Sequence, residues 1–262
     1  MTDGVNVPAV TVEQMREVDR LMIEEYGILL IQMMENAGRN LAILASQIAE
    51  GASGKRVLVL AGKGNNGGGG LVAARHLSNM GARARVILSA GAGELGEAPA
   101  HQASILAKMG LDVLSAPELD ADQIAKQCQE TDIILDALLG YSLVGAPREA
   151  AAALIREAND SGRPIVALDV PSGVSAADGR VYEPSMRATA TLTLALPKTA
   201  LETDEARARS GEIYLADISV PPDLYLRLGF EVPVLFADSS VITLAWTGSG
   251  WITKPSMKAP GV

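Results

Sequence analysis

The stretch Gly62-Lys63-Gly64-Asn65-Asn66-Gly67-Gly68-Gly69-Gly70 lies between an apolar run, Arg56-Val57-Leu58-Val59-Leu60-Ala61, and Leu71-Val72-Ala73-Ala74-Arg75-His76-Leu77. Apolar strand, glycine-rich turn and helix is the arrangement that aims backbone N–H groups at an anion. A phosphate-bearing ligand is therefore expected at this turn. Four consecutive glycines are costly in unfolded-state entropy if the segment only turns the chain. Gly62, Gly64 and Gly67 also satisfy G-x-G-x-x-G. An ordinary dinucleotide site would add a carboxylate about 20 positions on, at the end of the second strand. That strand, Ala84-Arg85-Val86-Ile87-Leu88-Ser89, ends without one, which weighs against a simple NAD-dependent dehydrogenase.

Two aspartates stand at the tips of apolar strands. Asp136 leads into Ala137-Leu138-Leu139-Gly140, and Asp169 into Val170-Pro171-Ser172-Gly173. A carboxylate at such a tip is poorly solvated unless it meets a cation, a donor or a metal. Either one alone could simply cap the turn that follows it. Both together, at the same sheet end as the glycine turn, point to a ligand crevice. The oxygen donors there are the Asn66 side chain, Asp136, Ser172 and nearby carbonyls. One carboxylate among neutral oxygens suits a hard, weakly held cation better than zinc. Lys198 follows another strand end and is placed to bring an ammonium to the site. Lys63 either meets a phosphate or faces water. His76 reads as a surface or packing residue, and His101 is far along the chain. There is no G-x-S-x-G elbow and no Walker G-K-[ST], so hydrolase and kinase readings lack their nucleophile or phosphate-gripping lysine.

These residues need a scaffold that points strand ends one way. Residues 11–25 place Met15, Val18, Leu21 and Met22 on one helical face, and a second helix over residues 29–50 turns Met33, Ala37, Leu41, Leu44 and Ile48 inward. Beyond the stop at residues 51–54, strands at 57–61, 84–89, 111–114, 132–138 and 164–170 alternate with helices at 70–80, 98–109, 120–129 and 148–159. Near-continuous apolar strands such as Ile133-Ile134-Leu135 are those of parallel sheets covered on both faces. The expected fold is α/β, a three-layer αβα sandwich around a mostly parallel, doubly wound sheet. Strands at 190–196 and 213–218 extend one edge through a short irregular connection. The expected domain is 1–238. Residues 239–262, with Trp246 and Trp251 and no carboxylate after Asp238, are either a strand and tail or the start of a second domain.

Composition supports a folded enzyme-sized unit. The 262 residues are 48% hydrophobic and 20% charged, which allows a sizeable core and argues against disorder. With 31 acidic and 22 basic residues the formal charge is −9. An acidic chain of this kind lacks the basic surface that nucleic acid or an anionic membrane needs. Nothing reaches the roughly 20 apolar residues of a membrane span, and no signal peptide is visible. The single cysteine, Cys128, fits a reducing, cytoplasmic setting and reads as a small buried hydrophobe.

Four motifs, in order along the chain, carry a family resemblance. Gly64-Asn65-Asn66-Gly67-Gly68-x-Gly70-Leu71-Val72-Ala73-Ala74-Arg75 resembles the N-N-G-G-D-G-x-x-x-A-R signature of YjeF N-terminal domains, a family that includes the apolipoprotein A-I-binding protein. Met34-Glu35-Asn36-Ala37-Gly38-Arg39, Asp136-Ala137-Leu138-Leu139-Gly140 and Asp169-Val170-Pro171-Ser172-Gly173 continue the match in order, over about residues 11–235. The resemblance implies a Rossmann-like homodimer that converts R-NAD(P)HX, the hydrated and damaged cofactor, to its S epimer for a partner NAD(P)HX dehydratase. It implies potassium at Asn66, Asp136 and Ser172. It implies substrate contacts from Asn65, Asn66, Gly67, Gly68 and Gly69, from Gly140, Tyr141, Ser142, Leu143, Val144, Gly145 and Ala146, and from Asp169. Asp169 is the expected acid–base group, assisted by Lys198. Gly69 departs from the signature, which has Asp there. The alternative expectation is an inactive nucleotide-binding or scaffold module of the same fold. A further one is half of a fused repair enzyme, with a dehydratase following residue 262.

Overall fold

In the computed structural model, which describes residues 4–141, 143 and 145–254, ten strands form one sheet flanked by eight helices. In chain order these are β1 (Asn6–Val7), α1 (Val12–Glu24), α2 (Leu30–Ile48), β2 (Arg56–Ala61), α3 (Asn65–Asn79), β3 (Arg83–Leu88), α4 (Glu97–Lys108), β4 (Asp112–Ser115), α5 (Ala121–Gln129), β5 (Ile133–Ala137), α6 (Glu149–Asp160), β6 (Ile165–Leu168), β7 (Ala190–Leu194), α7 (Asp204–Ser210), β8 (Glu212–Ala216), α8 (Pro222–Arg227), β9 (Val241–Trp246) and β10 (Trp251–Thr253). The sheet order is β1-β10-β9-β8-β7-β6-β5-β2-β3-β4. The seven strands from β8 to β4 run parallel, while β9, β10 and β1 run antiparallel. The mostly parallel α/β sheet expected from the sequence is the one observed.

Strand alternation explains why both faces are dry. Val57, Val59 and Ala61 of β2 join Leu41, Leu44, Leu71 and Leu77 of α2 and α3, whereas Leu58 and Leu60 join Ile124, Leu154 and Ile155 of α5 and α6. Successive side chains point to opposite faces, so a strand covered on both sides must be apolar throughout. Each fully buried leucine or isoleucine contributes roughly 1.5–3 kcal/mol. A third cluster joins α1 to β8, β9 and β10 through Met15, Val18, Leu215, Leu244 and Trp251. The segment from residue 239 therefore supplies two antiparallel strands that continue the sheet; residues 255–262 lie outside the described structure.

Two local differences from the sequence reading have physical causes. The connection after β7 is not merely irregular: it contains a 3-10 turn and α7, which Thr203 caps by accepting from Ala206 N. More consequentially, α3 begins at Asn65, not near Gly70. The four glycines are its first turns. A Cβ on Gly67 would stand 1.8 Å from the Gly62 carbonyl oxygen, and one on Gly70 would stand 2.6 Å from Ala137 Cβ. Glycine here lets the helix sit directly on the β2 and β5 strand ends. The turn itself is only Gly62-Lys63-Gly64.

The chain moves from β2 outward through β3 and β4, then crosses back to lay β5 on the other side of β2. Carboxyl ends of strands splay at such a reversal and leave a crevice. The Gly62 turn and the Asp136 strand end face each other across it, tied by Gly62 N donating to Ala137 O at 3.0 Å.

Candidate functional site

A cavity of about 1220 Å³ opens at that crevice. Its floor and walls include Asn65 and Asn66 from α3, Gly140 and Tyr141 beyond β5, Asp169 beyond β6, and Lys198 beyond β7. A volume above 1000 Å³ can admit a dinucleotide-sized ligand.

The α3 N-terminus faces this space. Gly64 occupies the cap position and provides no side-chain hydrogen bond, so the first N–H groups of the helix remain available to an anion. Gly69 also lines the cavity, whereas Gly67 packs on Gly62 and Gly68 on Met34. Gly38 of α2 completes this seat, since a Cβ there would stand 2.5 Å from Gly69 O. Beside it, Glu35 accepts from Arg75 and pairs with His76 at 2.8 Å, holding α2 to α3. That accounts for the spacing of the Met34–Arg39 and Ala74-Arg75 segments in physical terms, and it puts His76 in a packing role.

Asp136 is entirely buried at the end of β5. Its carboxylate accepts from Ser172 N at 2.8 Å, Ser172 Oγ at 2.6 Å and Leu138 N at 3.2 Å. Among the described residues it has no cationic partner. Burial consequently pushes its carboxyl up to about 6, despite the Ser172 and Leu138 hydrogen bonds that favour the charged form. Ser172 Oγ also accepts from Leu139 N at 2.9 Å, so Ser172 fastens the β5 and β6 ends together. Asn66 approaches from the other side: its Oδ1 would stand 3.3 Å from a Cβ on Gly140, and its buried Nδ2 has no partner. The three oxygen-bearing residues singled out from the sequence are thus gathered around the Gly140 turn.

Asp169 and Lys198 form the second polar centre. Lys198 is only 1% exposed, and its Nζ donates to Asp169 Oδ1 and, at 2.9 Å, to Leu194 O. Asp169 has φ +71°, a strained left-handed conformation of the kind that concentrates at functional sites. Its N–H donates to Leu192 O at 2.8 Å. The Lys198 segment is held from outside by Val10, whose N–H donates to Pro197 O at 2.9 Å and whose O accepts from Thr199 N at 3.0 Å. The N-terminal segment thereby fixes a lysine nearly 190 positions away.

Of the 140–146 segment, Gly140, Tyr141, Leu143 and Ala146 line the cavity and Gly145 does not; Ser142 and Val144 lie outside the described residues. Lys63 is exposed at the cavity mouth with Arg148. The sequence reading missed Asp19. It lies on α1, four residues after Met15 and within the cavity lining, and accepts from the Tyr141 hydroxyl at 2.6 Å. Its spacing from Met15 shows only that the two share a helix face; the Tyr141 partner is set by the fold.

The comparisons with known proteins agree with this architecture. The sequence matches the family described as YjeF-related protein N-terminus over residues 30–200. It is 45% identical over 230 residues to the NAD(P)H-hydrate epimerase of Dehalogenimonas lykanthroporepellens, an alignment covering 87% of this chain and 89% of that protein. It is 36% identical to the bifunctional NAD(P)H-hydrate repair enzyme Nnr of Moorella thermoacetica over 92% of this chain but only 44% of that longer protein. The crystal structure of yeast ynu0 superposes with a TM-score of 0.78 and 27% identity, over 91% of this chain and all of that one. Motif order, sheet topology and sequence identity over most of its length place this chain in the YjeF-related N-terminal family.

Proposed function

We propose that this protein is an isomerase that epimerises the hydrated nicotinamide cofactor, R-NAD(P)HX to S-NAD(P)HX, as part of metabolite repair. The observation that carries the reading is the buried Asp169–Lys198 pair, which opens on the same cavity as an uncapped helix N-terminus. One element suits acid–base chemistry and the other suits a pyrophosphate. The relatives that bear the name NAD(P)H-hydrate epimerase support the same reading. An inactive scaffold, the alternative raised by Gly69, is not supported by those relatives.

The epimerised carbon bears a hydroxyl and a ring nitrogen. Protonation of the hydroxyl lets the C–O bond break with loss of water, while the nitrogen lone pair forms C=N⁺. Water returning to the other face yields the other epimer. In this reading Asp169 is the acid–base group that takes up the proton of the returning water, and Lys198 holds its carboxylate in place. Asn65, Asn66 and Gly69 border the ligand at the α3 end, and Gly140, Tyr141, Leu143 and Ala146 border it across the crevice.

Potassium fits the donors available. Among the described residues Asp136 is a buried carboxylate without a countercharge, and the Asn66 side-chain oxygen borders the Gly140 turn that follows it. Asn66, Asp136 and Ser172 would hold the ion, which would supply positive charge near the ligand's phosphates. A homodimer and a functional partnership with NAD(P)HX dehydratase belong to the same proposal. So does a cytoplasmic setting, which the lone buried cysteine suits. Among the described residues no helix is long and apolar enough to cross a membrane.

A coupled assay tests the function. Pure R-NADHX, a dehydratase that accepts only the S epimer, and this protein should together restore NADH. Omitting this protein should leave only the slow spontaneous rate, and an equal rate with and without it would refute the proposal.

A further inference from the structure

Lys198 Nζ is committed to two acceptors, Asp169 Oδ1 and the Leu194 carbonyl. The cavity holds another pair that is not. Asp19 of α1 and Tyr141 beyond β5 meet across 122 positions of sequence, with the hydroxyl donating to Asp19 Oδ2 at 2.6 Å. Both line the cavity that Asp169 and Lys198 line. Among the described residues Asp19 has no ion-pair partner, and Tyr141 is its one side-chain hydrogen-bond partner. We infer that Asp19 and Tyr141 form a proton relay for the bound hydrated ring, with Asp19 storing the proton and Tyr141 passing it on. This inference rests on the epimerase reading above.

The electrostatics suit the two roles. The charged groups around the pair are Arg16 on α1, and Asp169 and Lys198 from the sheet end. Burial is the largest influence on Asp19 and raises its carboxyl; the Tyr141 hydrogen bond and Lys198 oppose this, and Asp169 reinforces it. A carboxyl raised in this way keeps a larger proton-bearing fraction toward neutral pH. Burial and the adjoining Asp19 push the Tyr141 hydroxyl well above its usual range. A bare tyrosinate is therefore disfavoured, and Tyr141 gives up its proton only as it receives another. A separation of 2.6 Å between the oxygens allows transfer in either direction.

The Asp19 carboxyl proton moves to Tyr141 Oη as the Tyr141 proton moves to the ring hydroxyl. The C–O bond breaks, its electron pair leaves with water, and the ring nitrogen lone pair forms C=N⁺. Asp19 is left as carboxylate and Tyr141 is neutral throughout. Water that adds from the Tyr141 side returns its surplus proton through Tyr141 to Asp19 and regenerates the starting epimer; water that adds from the opposite face gives the other epimer and passes its surplus proton to Asp169, after which exchange with solvent restores the Asp19 carboxyl and the Asp169 carboxylate.

The experiment measures initial rates of R-NADHX to S-NADHX conversion by chromatography across pH, for the unmodified protein, Tyr141→Phe, Asp19→Asn and the double variant. Thermal melts are recorded alongside. The relay predicts a kcat loss of about 100-fold in each single variant, little change in KM, and a double variant no slower than the slower single one. For the unmodified protein kcat should fall as pH rises through the Asp19 titration, and Asp19→Asn should abolish that limb. Asn can still accept the Tyr141 hydrogen bond, so an Asp19→Asn protein with full kcat and an unchanged pH profile would make the pair a mere tether and overturn the relay. A change in KM alone would do the same. Tyr141→Phe preserves the ring, so it decides the matter if Asp19→Asn fails to fold. An unmodified protein that leaves R-NADHX at its spontaneous rate would instead remove the epimerase reading, and the relay with it.

Discussion

Lys198 Nζ donates to Asp169 Oδ1 in an ion pair whose side chains are 1% and 3% exposed, the most deeply buried ion pair among the described residues. Taking both charges out of water is expensive, and their attraction repays it only while both are present. Asp169→Asn should therefore cost about 3–5 kcal/mol by leaving a buried ammonium without its counterion. Asparagine tolerates the positive φ of residue 169, so backbone strain does not confound the comparison. Adding Lys198→Met should recover much of the loss. Urea unfolding of the two single variants and the double variant checks this. Additive losses would mean that the two side chains do not compensate each other.

The glycines that open α3 should divide by what they face. A Cβ on Gly70 would stand 2.6 Å from Ala137 Cβ and 3.2 Å from Val59 Cγ1, both part of the packed sheet. Gly70→Ala should destabilise by about 1–3 kcal/mol through overpacking. Among the described residues a Cβ on Gly69 would meet only Leu168 Cδ2, at 2.7 Å, the far end of a side chain that can turn. Gly69→Ala should therefore lose little, because alanine's helix preference of about 1 kcal/mol offsets the contact. Thermal melts of the two variants should rank Gly69→Ala above Gly70→Ala. The reverse ranking would contradict the packing of α3 on β2 and β5.

The sheet was legible in the sequence because a parallel strand buried on both faces must be apolar along its whole length, as Ile133, Ile134 and Leu135 are. The positions of Asp136 and Asp169 followed from the same runs, since each ends one. The start of α3 was not legible. Consecutive glycines have poor helix propensity, and only the tertiary seat against Gly62, Met34 and Ala137 makes them helical. Asp19 was hidden for a related reason: its significance comes from Tyr141, which the fold alone brings to it. For residues after 239 the sequence left a strand and tail or a second domain open; the pairing of β9 with β8 and of β10 with β1 decides for strands of the same sheet, through contacts far apart in the chain that no local pattern shows.

Asp136 gives the protein a pH and cation signature. Its folded-state carboxyl stands at about 6 against an ordinary 3.8. In that window the folded state binds more protons than the unfolded one, so stability falls as pH rises from about 4 to about 6 and levels off above. The group's share is on the order of 3 kcal/mol. A cation beside the carboxylate would favour its charged form and cancel much of this penalty. Melting temperatures near neutral pH should therefore be higher in potassium chloride than in choline chloride, with the gap closing in mild acid. Equal melting in the two salts at every pH would count against a cation at Asn66, Asp136 and Ser172.

The most direct measurement is nuclear magnetic resonance of R-NADHX incubated with the purified protein in potassium chloride, followed over time and compared with the Asp169→Asn variant. The account predicts enzyme-dependent growth of the S epimer to equilibrium with the unmodified protein, which has glycine at residue 69, and little beyond the spontaneous rate with Asp169→Asn. R-NADHX that persists at its spontaneous rate in the presence of the folded, unmodified protein would contradict the account.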